Sequence, residues 1–462
     1  MNINKILFLR LSSPDVYRAH PRNLLPPLQL GYMISLVKNN YEVHFIDCRI
    51  TSLTIDEIAK KTLDFNPDLI VSTFFTYDYR YAMRFFNEIK KEINPLILCI
   101  GHHASCAPRS LIFEGSPVDY LLLGECELDF VKFLEYLETN EYLEKINSLF
   151  SLKKKDIPKP AMIENLDSLP FPRHELFNSK FYRSVYPLKI KKRIEWGYML
   201  STRGCPYDCI FCSQSVRESY GKKFRIRSPK NVVDEMKFLM SLGKNVISFI
   251  DDCFTVSKKY VEDVCDEIIK RKLDVNWICH ARIDNLSKEM MKKMKQAGCL
   301  LLKIGVESGS NRIIEVLKKT PNKLDWSDLT RKIFKFSKEV NLPILSMFIL
   351  GSPTETMKDI KKTLALIEDI NSDLLQICYF TPYPGSEAFL EYFNGTDFDE
   401  NFYHYKPFIN VSNMNFKELE LLSKKIYRSF YFRPRFLLKH LRNHFLFYSL
   451  NPSYAKSSFI LL

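Results

Sequence analysis

The chain has 462 residues, 46% of them hydrophobic and 26% charged, and 67 Lys and Arg against 54 Asp and Glu leave a net charge of +13. That apolar content excludes a disordered chain, and the length exceeds what one core normally holds, so more than one domain is expected. Twelve cysteines in a chain of this length, with no leader pattern at Met1-Asn2-Ile3-Asn4-Lys5, exclude a disulfide scaffold and point to a reducing compartment, the cytoplasm, with thiols kept for ligation. No stretch reaches the roughly 18 uninterrupted apolar residues of a spanning helix. The tail Phe445-Leu446-Phe447-Tyr448-Ser449-Leu450 is too short for that and leaves only peripheral membrane contact open. Positive charge permits nucleic-acid or anionic-membrane partners, but the basic residues fall in short runs such as Lys153-Lys154-Lys155 and Lys189 to Arg193, which read as solvated faces. No familiar nucleic-acid module is present, so nucleic acid is not the expected partner.

The first 140 residues alternate short apolar runs with helix-length segments, the pattern of a parallel sheet covered on both faces. Strands are expected at Ile6 to Leu11, Val43 to Ile46, Leu69 to Ser72, Leu96 to Ile100 and Tyr120 to Leu123. Leu30 to Val37, Ile55 to Leu63, Tyr81 to Ile89 and Leu111 to Gly115 carry helical spacing or length, and Leu128 to Leu137 closes the unit. Such a doubly wound, Rossmann-like sheet binds ligands beyond the carboxyl ends of its strands. The residues there are Pro26-Pro27, Ser72-Thr73, Gly101-His102-His103-Ala104 and Gly124-Glu125. A nucleotide remains the alternative ligand, because fold does not fix it. A histidine in a turn is more often a hydrogen-bonding or solvated group than a metal ligand.

Residues 141–195 dissolve into charge and proline, with Pro158, Pro160, Pro170, Pro172 and Pro187 forbidding long helices, and read as a linker. From residue 196 to 388 alternation resumes, with strands at Tyr198 to Ser201, Val246 to Ile250, Val275 to Cys279, Leu301 to Val306, Ile344 to Leu350 and Leu374 to Phe380. Six strand-helix units make a partial (β/α)6 barrel, whose chemistry sits at the C-terminal mouth of the strands. There lie Asp251-Asp252, His280 to Arg282, Glu307-Ser308-Gly309, Gly351-Ser352-Pro353 and Thr381 to Gly385. Asp252 and Ser308 also suit helix N-caps. Cys253, Cys265, Cys279, Cys299 and Cys378 show no second ligand spacing and read as core residues, of which Cys253, Cys279 or Cys378 can face a substrate chamber. Residues 389–462 form an aromatic and basic segment containing Phe430-Tyr431-Phe432-Arg433-Pro434-Arg435, expected as a helical cap over the barrel mouth, with nucleic-acid binding as the sharper alternative.

The loop after the first barrel strand is Arg203-Gly204-Cys205-Pro206-Tyr207-Asp208-Cys209-Ile210-Phe211-Cys212. Three thiolates on one short C-x3-C-x2-C loop can ligate three irons of a [4Fe-4S] cluster at little entropic cost, leaving the fourth iron open. Zinc is the alternative, but it wants four protein ligands and no partner pair follows at the required spacing.

At Cys205, Cys209, Phe211 and Cys212 the chain resembles the radical S-adenosylmethionine (SAM) superfamily, whose hallmark places an aromatic before the last cysteine. The resemblance implies that the unique iron chelates SAM and that its cleavage yields a 5′-deoxyadenosyl radical. It implies Asp251 or Asp252 near the SAM amino group, Arg282 near the carboxylate, Glu307 and Ser308 near the ribose, and Gly351 with Pro353 near adenine. Pro26-Pro27-Leu28, Gly101-His102-His103-Ala104, and Val118-Asp119-Tyr120 followed by Gly124-Glu125 resemble the cobalamin-binding domain that precedes the radical SAM core in one large subgroup. Pro27, Leu28, Ser72, Thr73, Gly101, His102, His103, Gly124 and Glu125 are the implied cobalamin contacts. The chain departs from that family at His102, where a second glycine is common. It also lacks the D-x-H-x-x-G motif, Asp119 being followed by Tyr120 and Leu121, so the implied corrinoid has no histidine below cobalt. Leu169-Pro170-Phe171-Pro172 and the Phe-Tyr-x-Arg-Pro stretch also resemble family elements.

The expected function is that of a cobalamin-dependent radical SAM enzyme of the class B methyltransferase type, acting on an unactivated carbon of a natural-product, lipid or cofactor intermediate. The resemblance implies that one SAM methylates cobalt, a second yields the radical that takes a substrate hydrogen, and the substrate radical collects the methyl group, so the two domains must face each other. It also implies an external electron donor of the flavodoxin or ferredoxin type. A non-methylating cyclase or rearrangement enzyme, an RNA-modifying radical SAM enzyme and a non-catalytic corrinoid-binding module are the alternatives.

Overall fold

The computed structural model describes residues 3–14, 24–51, 53–153, 156–184, 186, 188, 190, 192–212, 221–320, 324–393, 395, 398–399, 402 and 404–434. Arg435 and the apolar stretch Phe445 to Leu450 lie outside the described residues. The chain forms two compact units, one of Met1–Tyr182, Cys212–Arg225 and Pro382–Phe402, the other of Arg183–Phe211, Ile226–Thr381 and Tyr403–Leu462.

In the first unit, strands β1 (Lys5–Arg10), β2 (Glu42–Asp47), β3 (Leu69–Thr73), β4 (Leu96–Ile100), β5 (Tyr120–Leu122) and β6 (Leu149–Phe150) form a sheet in the order β2-β1-β3-β4-β5-β6. All pairs are parallel except β5 with β6. The order reverses between β1 and β3, which makes their carboxyl ends the natural ligand crevice. Unbroken apolar runs such as Ile6-Leu7-Phe8-Leu9 suit a strand buried on both faces. Leu7 and Leu9 join a core with Phe85 and Phe86 of helix Tyr79–Glu92, while Ile6 and Phe8 join another with Leu30 and Phe130. Helix Ile55–Phe65 starts on a reciprocal capping box of Thr54 and Glu57 and stops at Asn66, whose φ is 49°.

Three local features differ from expectation. Helix formation begins at Pro108 and ends at Leu111, because proline suits a first helical position and Ile112 is already extended, so Leu111 to Gly115 is not a helix. Gly101 to Cys106, expected as a turn, is a short helix. The stretch read as a linker supplies edge strand β6, and Ala161 bridges Gly124.

The second unit holds β7 (Trp196–Met199); the two-residue strands β8 (Thr202–Arg203) and β9 (Arg225–Ile226), the latter beginning on the last residue of the first unit's Cys212–Arg225 segment, stand outside its main sheet. That sheet continues with β10 (Val246–Phe249), β11 (Asn276–Ala281), β12 (Cys299–Glu307), β13 (Ile344–Leu350) and β14 (Leu374–Tyr379). Its order, β7-β10-β11-β12-β13-β14, is the chain order and every pair is parallel, so the sheet winds one way and leaves β7 and β14 as edges. Helices Pro229–Ser241, Lys258–Lys270, Lys288–Gln296, Trp326–Val340 and Met357–Ile370 lie between strands, capped by Ser228, Ser257, Ser287, Asp325 and Thr356. Helix Phe416–Tyr431 lies along β14, where the Tyr427 and Tyr431 hydroxyls accept from the Ile377 and Leu375 amides at 2.8 and 3.1 Å. The aromatic segment thus protects an edge strand, a role its sequence pattern did not reveal.

Candidate active site

The cysteine loop leaves the carboxyl end of β7. Cys205 and Cys212 are partly accessible, Cys209 is buried, and none is in a disulfide. Burial pushes the Cys205 thiol up to about 12, against the Tyr207 backbone amide, with Cys253, Asp252 and Cys209 adding to the rise. Metal ligation reverses that by removing the proton outright. Arg282 Nη1 lies 3.6 Å from Cys209 Sγ, a cation beside the future thiolate. Among the described residues no three His, Cys, Asp or Glu converge on a single-ion site. A cubane instead takes each thiolate on a separate iron, so the soft donors of this loop fit it.

Arg282 follows β11 and is held on every side. Its guanidinium pairs with Asp284 at 3.0 and 2.8 Å, donates to the Lys319 carbonyl at 2.5 Å and lies 3.5 Å from the Tyr207 ring centroid. Burial opposes its charge, but Asp284 outweighs it and raises its pKa. Asp284 is thus one carboxylate already at Arg282. Glu307, at the end of β12, has φ of 65° and accepts from Lys319 Nζ at 2.7 Å. Gly305 makes that possible, since a Cβ there would stand 2.1 Å from Glu307 Oε1. Lys319 Nζ also sits 5.8 Å from the Phe211 ring centroid, so one lysine links the cluster loop to β12.

Asp251 and Asp252 divide their roles. Asp251 is buried, and its Oδ1 accepts from the Ser201 amide at 2.9 Å, the Ser201 hydroxyl at 2.8 Å, the Thr202 hydroxyl at 2.6 Å and the Thr202 amide, bracing the turn after β7. Asp252 is exposed and bears on Cys205. Ser308 is buried, with Oγ 3.2 Å from Thr363 Oγ1. Gly351, with φ of 76°, donates to Glu355 Oε2 at 2.8 Å, and Pro353 is buried two residues on.

In the first unit, Ser72 Oγ is buried without a partner, and Ser12 and Asp78, whose side chains bear on each other, are buried with it around the carboxyl ends of β1 and β3. Gly101 has φ of 84°, and a Cβ there would stand 2.4 Å from Thr73 Oγ1. Gln29 bridges to this floor through the Gly124 carbonyl, 3.0 Å from its Nε2. An orphaned hydroxyl at Ser72 and a backbone at Gly101 with no room for a side chain fit a large ligand resting on main chain. Pro27 and Leu28 open helix Leu28–Val37, with Leu28 buried. His103 is a satisfied core group: the Ser110 hydroxyl donates to the Ala107 carbonyl, so Nε2 donates to Ser110 at 3.1 Å and Nδ1 accepts from Thr76 at 3.2 Å. Burial holds His102 down to about 4, and burial with His102 holds His103 down to about 3. His102 Nδ1 lies 3.4 Å from Cys106 Sγ. Gly124 is covered by Ala161, and Glu125 is buried against Arg225 and the Ile163 amide, so both brace the fold.

Sequence reasoning missed Lys319, Asp284, Glu355, Ser12 and Asp78. None carries a motif; the positions of Asp284, Glu355, Ser12 and Asp78 soon after strands could have marked them, whereas Lys319, beyond helix Asn311–Val316, left no such signal.

The Radical SAM superfamily model matches residues 199–367 and the B12 binding domain model residues 14–134. An uncharacterised methyltransferase of Pyrococcus horikoshii is 29% identical over 455 residues, 96% of each chain. An anaerobic magnesium-protoporphyrin IX monomethyl ester cyclase of Rubrivivax gelatinosus is 26% identical, covering 89% of this chain and 75% of its own. The fold matches the radical S-adenosylmethionine methyltransferase TsrM from Kitasatospora setae, solved with cobalamin and a [4Fe-4S] cluster, at a TM-score of 0.69 and 16% identity over 84% of this chain and 78% of that one. With a B12-binding domain joined to a radical SAM domain, the chain belongs to the cobalamin-dependent radical SAM enzymes.

Proposed function

We propose that the enzyme transfers a methyl group from SAM to an unactivated carbon of a small-molecule intermediate from natural-product, lipid or cofactor metabolism. When bound, the cluster and SAM supply a 5′-deoxyadenosyl radical and cobalamin carries the methyl group. Cys205, Cys209 and Cys212 hold the cluster, with Phe211 beside them. Exposed Asp252 receives the SAM ammonium, Glu307 takes ribose hydroxyls from the position Lys319 fixes, and Gly351 with Pro353 walls the adenine. Ser308 and Asp251 hold the turns that aim these groups, and Arg282 steadies the loop at Cys209. Pro27, Leu28, Ser72, Thr73, Gly101 and His102 line the corrinoid bed, with His103, Gly124 and Glu125 supporting it. The observation carrying this reading is the thiol loop at the end of β7 with Arg282 at Cys209 and Lys319 beside Phe211, and similarity to a methyltransferase along the whole chain supports it.

Catalysis requires an electron donor of the flavodoxin or ferredoxin type and is assigned to the cytoplasm. No described helix is long and apolar enough to cross a membrane. The cyclase relative favours a second reading, radical chemistry without methyl transfer. SAM bearing a deuterated methyl group separates the two when the reconstituted enzyme is given a metabolite extract. Label in a product supports methylation; 5′-deoxyadenosine with a new unlabelled product supports the second reading; no 5′-deoxyadenosine overturns both.

A further inference from the structure

The second sheet buries Trp277, Cys279 and Ala281 of β11 and Leu302, Ile304 and Val306 of β12 against its helices. Alternation along each strand sends His280 and Lys303 to the opposite, inner face, where they are register partners. Ser248 of β10, flanked by the core residues Ile247 and Phe249, faces the same way, and its buried Oγ has no partner. Lys303 is 4% exposed and forms no ion pair or hydrogen bond with any described residue; its ammonium lies 5.9 Å from the Tyr186 ring centroid. Burial holds it down to about 8, against the opposing pull of Cys279 and Asp251. Burial and the charge of Lys303 also keep His280 well below its usual range. Asp251 forms no ion pair with the lysine: its Oδ1 is committed to Ser201 and Thr202.

A buried ammonium without a counter-ion costs stability, and chains retain one where a ligand completes it. We propose that Lys303 and His280 receive an anionic group of the substrate, a carboxylate or a phosphate, inside the barrel. Lys303 stands four residues before Glu307, about 13 Å down the strand, a layer deeper than the strand-end groups assigned to SAM. This inference rests on reading the barrel as the reaction chamber.

Thermal unfolding of the cluster- and cobalamin-loaded enzyme tests it, in chloride, acetate and inorganic phosphate at equal ionic strength. In chloride, Lys303→Met melts higher than wild type, because an unpaired buried charge is gone. Acetate or phosphate raises the wild-type melting temperature but not that of Lys303→Met, and the effective anion tells carboxylate from phosphate. His280→Gln raises the half-saturating concentration about tenfold. A lower melting temperature for Lys303→Met in chloride, or an anion response equal to wild type, overturns the proposal. Loss of SAM affinity in Lys303→Met also overturns it, by giving the lysine to SAM. No step of this test needs turnover, so a wild type that forms no 5′-deoxyadenosine sinks the radical reading separately.

Discussion

At the carboxyl ends of its strands the first unit presents hydroxyls, a glycine and a buried carboxyl group, whereas the second presents ion pairs. Ser72 keeps an unpartnered buried hydroxyl beside β1 and β3, with buried Ser12 and Asp78 next to it. Around β11 and β12, by contrast, Arg282 is taken by Asp284 and Glu307 by Lys319. The difference matches the ligands. A corrinoid is broad and amide-fringed, so it needs room over backbone and neutral partners. SAM and an iron-sulfur cluster are charged, and on the proposed assignment charges fixed in advance would receive them without reorganisation.

The contrast breaks most completely at the thiols. Replacing Cys205, Cys209 and Cys212 together by alanine is expected to remove iron and sulfide and abolish 5′-deoxyadenosine formation, while cobalamin binding to the other unit persists. Retained 5′-deoxyadenosine in that variant refutes the assignment. Next comes the ion pair: Lys319→Met leaves Glu307 buried and alone, a loss of about 3–5 kcal/mol. Urea unfolding measures it, and adding Glu307→Gln is expected to recover part of the loss. SAM affinity falls about tenfold by equilibrium dialysis, because Glu307 is no longer held in place.

Asp78 sharpens the contrast through pH. Burial raises its pKa to about 7, against the Ser13 amide and the charges of Arg49 and Arg10, so it is largely neutral below neutrality. An unfolded aspartate ionises near pH 4. The folded state therefore holds the extra proton between about pH 4 and pH 7, and the contribution to stability, fully present below that window, is lost as pH rises through about 7. The swing is on the order of 3–4 kcal/mol. Asp78→Asn is expected to flatten the fall in melting temperature between pH 5 and pH 8; an unchanged pH profile would count against a neutral floor.

Much of this was legible because strands buried on both faces must be apolar throughout, so Ile344 to Leu350 and Leu96 to Ile100 fall at their expected bounds. Strand ends then located Glu307, Gly351 and the cysteine loop. Partner choice was not legible. The pairing of Arg282 with Asp284, two residues on, has no sequence motif, and Lys319 reaches Glu307 only because the chain folds back. Strand β6 has two residues, too few for any periodicity. Lys303 did leave a signal: one lysine inside Leu301-Leu302-Lys303-Ile304 contradicts an apolar strand unless a ligand answers it.

The smallest effect isolates the backbone floor of the first unit. Gly101→Ala places a methyl group 2.4 Å from Thr73 Oγ1 on a residue with φ of 84°, so it meets both a steric and a conformational cost. The left-handed backbone alone costs about 1–2 kcal/mol. Adding Thr73→Ala removes the clash but not the backbone cost, so the pair separates them: stability recovers in part, while cobalamin affinity, read from the absorption spectrum, stays low if the ligand rests on the Gly101 main chain. Full recovery of affinity in the double variant would instead mean that the space above Thr73, and not the glycine backbone, makes the bed. Radical SAM chemistry discriminates further, since 5′-deoxyadenosine formation is assigned to the cysteine loop and the ends of β10 to β13, not to Gly101 or Thr73, and is expected to survive both substitutions.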